Sequence, residues 1–556
     1  MQALLLAAVL LTSASPDFVN VRILATSDLH SRVGPSPDFD APGIPRRLLG
    51  GWDDLAAQVA KRRTPYTLLL DCGDFAFGSP EADSSHGRLA VEFMNTLGYD
   101  AAAVGARDFA EGAASLEFLA QTADFPVLAA PMLDVVLRRQ TPLFRPYVAR
   151  KIDDIDIALI GLTDPDIPLL NTLDNTLGLP VDPPESQVAA CLSALRPETL
   201  DLVVAFGRIS PEAGVGLLDK FKDLDLVLCP QPARSGPGTE EHGRLVQVGP
   251  YGQRLAQVDL LIHLGRHQVD VVQKRQLNVL PRQGDTVPFP VAELVEQAVL
   301  RDMDTAAAFV PVEFGRDEEG LVSLGSVVAE AVRTSTGAAI AALPLHCIEP
   351  GLAEGRVLTR DLCNAVPFDE RLRLCQLDDT LLQMLVSAEG ADALAPALAG
   401  ADYFVMADTS RWPIVSQVAR VRVAGLSPPY RVVTTVNLLE KSGLRGRGTL
   451  LPRSLTDIWL SWASEQDSIG PGRPARLFPA APGLVELPES HQGPININTA
   501  TAKLLEQLPG IGPKTAQRIV EYREAHGRFS SVDELRNVKG IGPKKLEQIR
   551  PLATVR

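Results

Sequence analysis

The amino-acid sequence predicts a multidomain α/β protein that ends in a small all-helical domain. The chain has 556 residues, and at about 150 residues per domain this length predicts three or four domains. Up to about residue 275, strand-like runs that end in polar loops alternate with helical stretches, which is typical of an α/β domain with its site at the strand ends. Near the C-terminus a glycine-rich motif occurs twice, 30 residues apart, which predicts a separate helical unit.

The composition excludes long disorder and confines contacts with nucleic acid to one end of the chain. Hydrophobic residues make up 46% of the sequence and charged residues 22%, which is ordinary for a folded protein. The net charge is -15, but residues 493–556 contain 11 Lys+Arg against 6 Asp+Glu, a net charge of +5, which leaves -20 on residues 1–492. Because an acidic surface repels DNA, we expect any DNA contact in the basic tail and a protein partner for the acidic body.

The chain begins with an apolar run at residues 3–11. This run is far shorter than the ~20 residues that span a bilayer, but it fits the core of a secretory signal peptide over residues 1–15, with cleavage expected after Ala14. A buried first strand is the alternative, since no Lys or Arg precedes the run. The signal peptide predicts a periplasmic or secreted protein without a transmembrane segment.

The six cysteines are widely spaced and form no CxxC pair. In an exported protein, Cys347, Cys363 and Cys375 are the expected disulfide partners, although the sequence leaves their connectivity open. Cys72 and Cys229 fall in strand-like runs, where buried thiols are expected.

Three predicted strands each run into a loop with polar residues. The strands are Val19–Ala25, Tyr66–Asp71 and Tyr99–Val104. The loops that follow them carry Asp28 and His30, then Asp74, and then Gly105–Asp108. Because a ligand site in such a domain lies at the carboxyl ends of the strands, we expect these loops to meet in one site.

These loops resemble those of the calcineurin-like metallophosphoesterases, and the chain to about residue 465 resembles the bacterial 5'-nucleotidase family. Asp28 and His30 match the Asp-x-His motif, Asp74 matches the Gly-Asp motif, and Gly105–Asp108 stands at the position of Gly-Asn-His-Glu. The resemblance implies a β-sandwich flanked by helices. It also implies chemistry with two divalent metal ions about 3.5–4 Å apart, which activate water and stabilise the phosphoryl oxygens.

The sequence departs from this family at the expected ligands and catalytic residues. The Asn and the catalytic His of Gly-Asn-His are Ala106 and Arg107, the His after the next strand is Arg208, and the two His of Gly-Gly-His-x-His are Gln231 and Ala233. Neither Ala nor a permanently charged Arg can coordinate a divalent cation. The sequence therefore predicts a degenerate, non-catalytic site that requires no cofactor.

Three matching ligands remain, namely Asp28, His30 and Asp74. They could hold a single divalent ion (Mn, Zn or Mg), or they could serve folding alone. Since a buried carboxylate without a partner is costly, we expect Arg107 or Arg208 to lie at the second cation position and to neutralise Asp74.

A second domain resembles the C-terminal substrate domain of the same family. Val366–Leu372 matches the motif Leu-Pro-Phe-Gly-Asn-x-Leu, but Leu345–Glu349 replaces Gly-Gly-Gly-Ile-Arg, so that Glu349 stands where the family has an arginine. This reversal of charge would repel a phosphate. The predicted boundaries are 19–275 for the first domain, 276–312 for a bridging segment, 313–468 for the second domain, 469–493 for a proline-rich linker and 494–556 for the tail.

The tail contains the duplicated motif, Leu508–Lys514 and Val538–Lys544. In each copy Gly-Ile-Gly predicts a tight turn, the following Pro predicts the first turn of a helix, and the exposed N–H groups at that helix start predict an anion site beside a lysine. The tail resembles the tandem helix-hairpin-helix domain of competence-type DNA receptors. This implies binding of the DNA backbone without sequence readout by Gly510, Ile511, Gly512, Lys514, Gly540, Ile541, Gly542, Lys544 and Lys545. A protein contact or a plain packing unit is the alternative.

Three functions are compatible with these observations. The first is an exported protein that binds duplex DNA through its tail, in DNA uptake, with a non-catalytic body. The second is a metal-dependent 5'-nucleotidase or phosphodiesterase that acts on nucleotides or nucleic-acid ends. The third is a structural envelope protein whose tail binds protein.

Overall fold

The computed structural model describes residues 18–37, 48–130, 144–165, 167, 181–231, 243–264, 268–281, 303, 305–314, 318–349, 351–368, 370–387, 396–408, 415–423, 425–470, 495–498, 500, 505, 508, 511–526, 529, 531–542, 545–546, 549–550 and 553–555. The predicted signal peptide and nearly all of the predicted linker lie outside these residues. Within them, no helix combines the length and the apolar character needed to span a membrane.

The first domain is built from thirteen strands and six helices within the described residues. The strands are β1 Phe18–Thr26, β2 Pro35–Pro37, β3 Leu48–Gly50, β4 Thr67–Asp71, β5 Ala101–Ala103, β6 Val127–Leu128, β7 Tyr147–Ile152, β8 Ile155–Leu162, β9 Leu202–Gly207, β10 Leu226–Pro230, β11 Leu245–Val248, β12 Arg254–His263 and β13 Gln268–Asn278. The helices are α1 Trp52–Arg62, α2 Pro80–Ser85, α3 Arg88–Leu97, α4 Ala113–Thr122, α5 Pro184–Leu195 and α6 Pro211–Lys220.

Two sheets form a sandwich that is covered by helices on both outer faces. One sheet has the strand order β13-β12-β1-β4-β5-β6 and the other β11-β10-β9-β8-β7. Strand β4 shows how the layers arise: Leu68 and Leu70 pack between the two sheets, whereas Leu69 packs on the opposite face among residues of the covering helices. A strand that is buried on both faces needs such a continuous apolar run.

Parallel pairing within the sandwich brings the polar loops together. Strand β1 is parallel to β4, β4 to β5, and in the second sheet β8 to β9. The loops after β1, β4 and β5 therefore leave the sheet at the same edge.

The second domain is a mixed sheet with helices. Its strands are β14 Ala306–Val310, β15 Ile340–Leu343, β16 Gly355–Leu358, β17 Arg371–Leu377, β18 Ala397–Ala399, β21 Tyr430–Thr435 and β22 Thr449–Ser454. The strands β19 Asp402–Asp408 and β20 Val415–Arg422 form a separate two-stranded sheet. Its helices are α7 Glu318–Thr336, α8 Thr359–Ala365, α9 Asp379–Val386, α10 Val436–Lys441 and α11 Leu455–Ser464. The central sheet has the order β18-β15-β21-β17-β22, and the buried residues of α7 and α11 form one core cluster with residues of β15, β17 and β21.

The packed body extends slightly beyond the predicted boundaries. Strand β13 continues to Asn278, and β14, which falls in the predicted bridge, pairs with β16. At the other end Ile469 is buried, and its N–H donates to Phe309 O at 2.8 Å.

All six cysteines lie in the described part of the chain, and none forms a disulfide. The expectation of a disulfide among Cys347, Cys363 and Cys375 is therefore wrong in this structure, because each is buried in a different environment. The thiol of Cys375 donates to Arg447 O at 3.4 Å, and that of Cys363 contacts Met303 Sδ at 3.9 Å. Cys72 and Cys229 are buried, as expected.

The tail has its own small core. It contains β23 Ile495–Asn496, β24 Ala553–Thr554, α12 Pro513–His526 and a 3₁₀ helix at Val532–Asn537. A separate cluster of apolar side chains packs at its centre, among them Ile497, Leu508 and Ile519. The predicted fold class, a metallophosphoesterase-like α/β body with a helical tail, is thus confirmed.

Candidate metal centre and nucleic-acid interface

The loops after β1 and β4 are joined by main-chain hydrogen bonds. Asp28 N–H donates to Gly73 O at 2.9 Å and His30 N–H donates to Asp74 O at 3.0 Å. Asp28, His30 and Asp74 all have positive φ angles, between 50° and 57°, a conformation that is rare outside glycine and common at functional sites. All three side chains are buried, and their ligand atoms lie within 4.8 Å of one another.

His30 is held with its second ring nitrogen facing the two carboxylates. Its Nδ1 lies 2.5 Å from Phe77 O, and because a carbonyl only accepts, Nδ1 carries the proton. The Nε2 atom lies 3.8 Å from Asp28 Oδ1. Gly78 permits this contact, since a Cβ at that position would come within 2.6 Å of His30 Nδ1. Such a backbone partner is typical of a metal-coordinating histidine.

Arg208 supplies a positive charge to both carboxylates. It follows β9 in the second sheet, and its Nε lies 2.8 Å from Asp74 Oδ2, while its Nη1 donates to Asp28 Oδ1. Burial disfavours the charged form of Asp28, but the charge of Arg208, together with contacts from His30 and Ser27, lowers its pKa below the ordinary value. The predicted contact between Arg208 and Asp74 is confirmed.

Arg107 contacts Asp74 through its main chain and directs its guanidinium toward the second domain. Its backbone N–H donates to Asp74 Oδ1 at 2.7 Å, but the guanidinium donates to His346 O and lies 3.5 Å above the Phe368 ring. Burial lowers the pKa of Arg107, although nearby acidic groups oppose that shift. The ion pair with Asp74 that the sequence analysis expected is formed by Arg208.

Asp108 connects the loops after β4 and β5, a role that the sequence analysis did not assign to it. Its carboxylate accepts hydrogen bonds from the N–H groups of Asp74 at 3.0 Å, Ala76 at 2.9 Å and Gly105 at 2.9 Å. Burial, followed by the neighbouring charge of Asp74, raises its pKa to about 7. The only sequence signal was an acidic residue in the loop after a predicted strand.

The residues around Asp28, His30 and Asp74 do not fit a two-metal centre. Ala106 is buried and has no ligand atom, and Gln231 lies at the end of β10 with its N–H donating to Val248 O at 2.8 Å. Ala233 lies outside the described residues. The guanidinium of Arg208 pairs with two of the three matching ligands, and a cation cannot coordinate another cation.

The two copies of the tail motif have the same hydrogen-bond pattern. Ile511 N–H donates to Leu508 O at 3.0 Å, and Ile541 N–H donates to Val538 O at 3.1 Å. After the first loop, Ala516 N–H donates to Gly512 O at 2.9 Å. After the second loop, Leu546 N–H donates to Gly542 O at 3.0 Å. The sequence repeat is thus also a structural repeat.

The second glycine of each loop faces open space. Gly512 and Gly542 are exposed, and a Cβ at either position would meet no atom within 4 Å. Ile511 and Ile541 are buried, so their side chains support the loops and only their main chains could meet a ligand.

The remaining tail residues predicted to bind DNA lie around these loops. Lys514 is exposed, Gly540 has a φ of 109°, and Lys545 Nζ donates to Gly540 O at 3.2 Å. Gly510 and Lys544 lie outside the described residues.

Similarity to known proteins follows the division between body and tail. The helix-hairpin-helix motif family matches residues 490–554. The crystal structure of a 5'-nucleotidase precursor from Thermus thermophilus superposes with a TM-score of 0.70 at 18% identity, over 83% of this chain and 99% of that one. The 5'-nucleotidase of Bos taurus is 28% identical over 237 residues, 41% of this chain and 40% of the bovine protein. The body of this chain is 5'-nucleotidase-like.

A second relative matches the tail. ComE operon protein 1 of Bacillus subtilis is 44% identical over 62 residues, which are 11% of this chain and 30% of that protein. The chain thus matches less than half the length of the bovine protein and of ComE operon protein 1.

In the 5'-nucleotidase-like body, the segment that the sequence analysis compared with a substrate-binding motif begins with a 3₁₀ turn, Leu345–Cys347. Glu349, which follows it, accepts a hydrogen bond from Tyr251 Oη at 2.7 Å. An acidic side chain therefore occupies the position where the sequence comparison expects an arginine.

Proposed function

We propose that this chain is an exported DNA-binding protein that holds the backbone of duplex DNA through its tail, independently of base sequence, and that serves DNA uptake. The observation that carries this proposal is the duplicated loop, in which Gly512 and Gly542 face open space at equivalent positions. An exposed glycine next to a helix start lets a phosphate approach main-chain N–H groups. The match to the helix-hairpin-helix motif family supports the same function.

The charge distribution along the chain supports a DNA contact that is confined to the tail. The tail segment 493–556 carries a net charge of +5 on a chain whose total is -15. Neutralising about four phosphates predicts a log-log dependence of affinity on salt with a slope of about -4.

The test is a DNA-binding titration of the full-length protein with two duplexes of unrelated sequence, over a range of salt concentrations. We expect equal affinities and the stated slope. Lys514→Ala should reduce the slope by about 1. Arg550→Ala is the matched control, because Arg550 Nε is paired with Asp533 at 2.7 Å and its loss should change binding little. Absence of binding to either duplex would contradict the proposal and favour a tail that binds protein.

We further propose that the body is non-catalytic. The contact of Arg208 with both Asp28 and Asp74 supports this, since it takes two carboxylates away from any metal ion. The competing function is a metal-dependent nucleotidase or phosphodiesterase, which the orientation of His30 Nε2 toward Asp28 favours.

Hydrolysis of a nucleotide and of bis-p-nitrophenyl phosphate by the Mn²⁺-loaded protein distinguishes these functions. We expect no release of phosphate or nitrophenol above that of an Asp74→Asn variant. Activity that is present in the wild type and lost in Asp74→Asn would establish the enzyme instead.

A further inference from the structure

A second group of potential metal ligands lies in the second domain, outside the pocket of Asp28 and Asp74. Its members are His346, Cys347 and Glu370, and one ligand atom of each lies within 4.8 Å of the others. Cys347 is fully buried and Glu370 is 8% exposed, while His346 is half-buried. We propose that these three side chains form a binding site for a single zinc-type divalent ion.

The chemistry of the ligands selects the ion. A thiolate and an imidazole favour Zn²⁺ over Mg²⁺, Ca²⁺ or Mn²⁺, for which oxygen ligands are preferred. In a tetrahedral site, bonds of about 2.0–2.3 Å place ligand atoms about 3.3–3.8 Å apart. The separations here are at most 4.8 Å, so small changes of side-chain rotamer bring the atoms to this spacing. Three protein ligands leave a fourth position for water.

The main chain on both sides of the site is held in place. Cys347 N–H donates to Pro344 O at 3.2 Å, which closes the 3₁₀ turn, and Glu370 N–H donates to Phe368 O at 2.8 Å. Glu370 O in turn accepts from Leu455 N–H at 2.9 Å. Arg107 donates to the carbonyl of His346. The ligands are thus carried by fixed segments, as a preorganised site requires.

Cobalt titration of the full-length protein, after removal of metal with a chelator, tests the proposal. Thiolate coordination gives a sulfur-to-cobalt charge-transfer absorption in the near ultraviolet, which oxygen and nitrogen ligands alone do not give. We expect this absorption, with one equivalent bound, in the wild type and in Asp28→Asn, and its loss in Cys347→Ser. Cys375→Ser is the matched control, because Cys375 is another buried thiol and should leave the absorption unchanged.

Two further variants keep the test decisive if Cys347→Ser fails to fold. His346→Ala removes a half-buried ligand, and Glu370→Gln keeps the shape of the side chain. Each should weaken cobalt binding by more than the 10–100-fold that loss of an outer-shell partner causes. The proposal would be overturned if the absorption remained in Cys347→Ser, or if no cobalt bound at all. It would also be overturned if cobalt bound without this absorption and that binding was lost in Asp28→Asn.

Discussion

The permanently charged guanidinium of Arg208 contacts two buried carboxylates that lie in the loops after two different strands, β1 and β4. Asp74 is fully buried and Asp28 is 8% exposed, so neither carboxylate can rely on water for its solvation. An arginine supplies the required positive charge at every accessible pH. The same contact explains how two acidic side chains can be buried side by side in the sandwich.

Replacing Arg208 by Met should lower the free energy of unfolding by about 3 kcal/mol, because it leaves buried carboxylates without their cation. This value is the lower end of the usual range, since 31% of the Arg208 side chain is exposed and solvent screens part of the interaction. Urea unfolding followed by tryptophan fluorescence measures the change.

The matched control is Lys220→Met, which removes an ion pair between two largely exposed side chains, Lys220 and Glu185. Such a pair contributes no more than about 1 kcal/mol. Equal losses of stability in the two variants would show that Asp28 and Asp74 do not depend on Arg208.

At the scale of a single element, α6 contains two glycines with opposite surroundings. A Cβ at Gly216 would meet no atom within 4 Å, whereas a Cβ at Gly214 would lie 2.7 Å from Leu245 Cδ1. Gly216→Ala should therefore raise the free energy of unfolding by about 0.5–1 kcal/mol, because alanine is the better helix former. Gly214→Ala should give no such gain, since the new methyl group displaces Leu245. Thermal unfolding of both variants checks the contrast.

The two tail loops lead to a prediction at the same scale. Gly512→Ala combined with Gly542→Ala should leave the fold intact, because both positions are open. The added methyl groups would, however, stand between a phosphate and the main-chain N–H groups, so we expect at least a 10-fold loss of DNA affinity, equivalent to about 1.4 kcal/mol. Far-ultraviolet circular dichroism controls for folding. Unchanged affinity would place the DNA contact elsewhere in the tail.

At the scale of the whole molecule, the tail and the body carry net charges of opposite sign. Residues 494–556 have their own apolar core, so they can be compared as an isolated domain with the full-length protein. We expect the isolated tail to bind DNA about 3- to 10-fold more tightly at 0.01 M salt, where the Debye length is about 30 Å and repulsion by the acidic body is felt. The difference should shrink near 0.15 M, where that length is about 8 Å. Equal affinities at low salt would contradict this expectation.

Local patterns in the sequence predicted much of this architecture, and the family resemblance predicted the contact of an arginine with Asp74, whereas other contacts between distant residues were not predicted. The run Tyr66–Asp71 predicted a buried strand, and the structure has it at Thr67–Asp71; the repeated Gly-Ile-Gly likewise predicted two equivalent loops. The contact of Arg208 with both Asp28 and Asp74 depends on the direction in which its side chain leaves its loop. The proximity of Glu370 to Cys347 depends on tertiary packing and leaves no trace in spacing or periodicity.

The hydrogen bonds from Arg107 to His346 O and from Tyr251 to Glu349 also have a consequence for cooperativity. Both join the sandwich to the second domain, so opening of either domain alone would break them. Calorimetry should therefore show one melting transition for the two domains together, with calorimetric and van't Hoff enthalpies that agree for that transition. In Arg107→Ala this transition should broaden or divide into two, and a wild-type body that already melts in two steps would show that these contacts do not couple the domains.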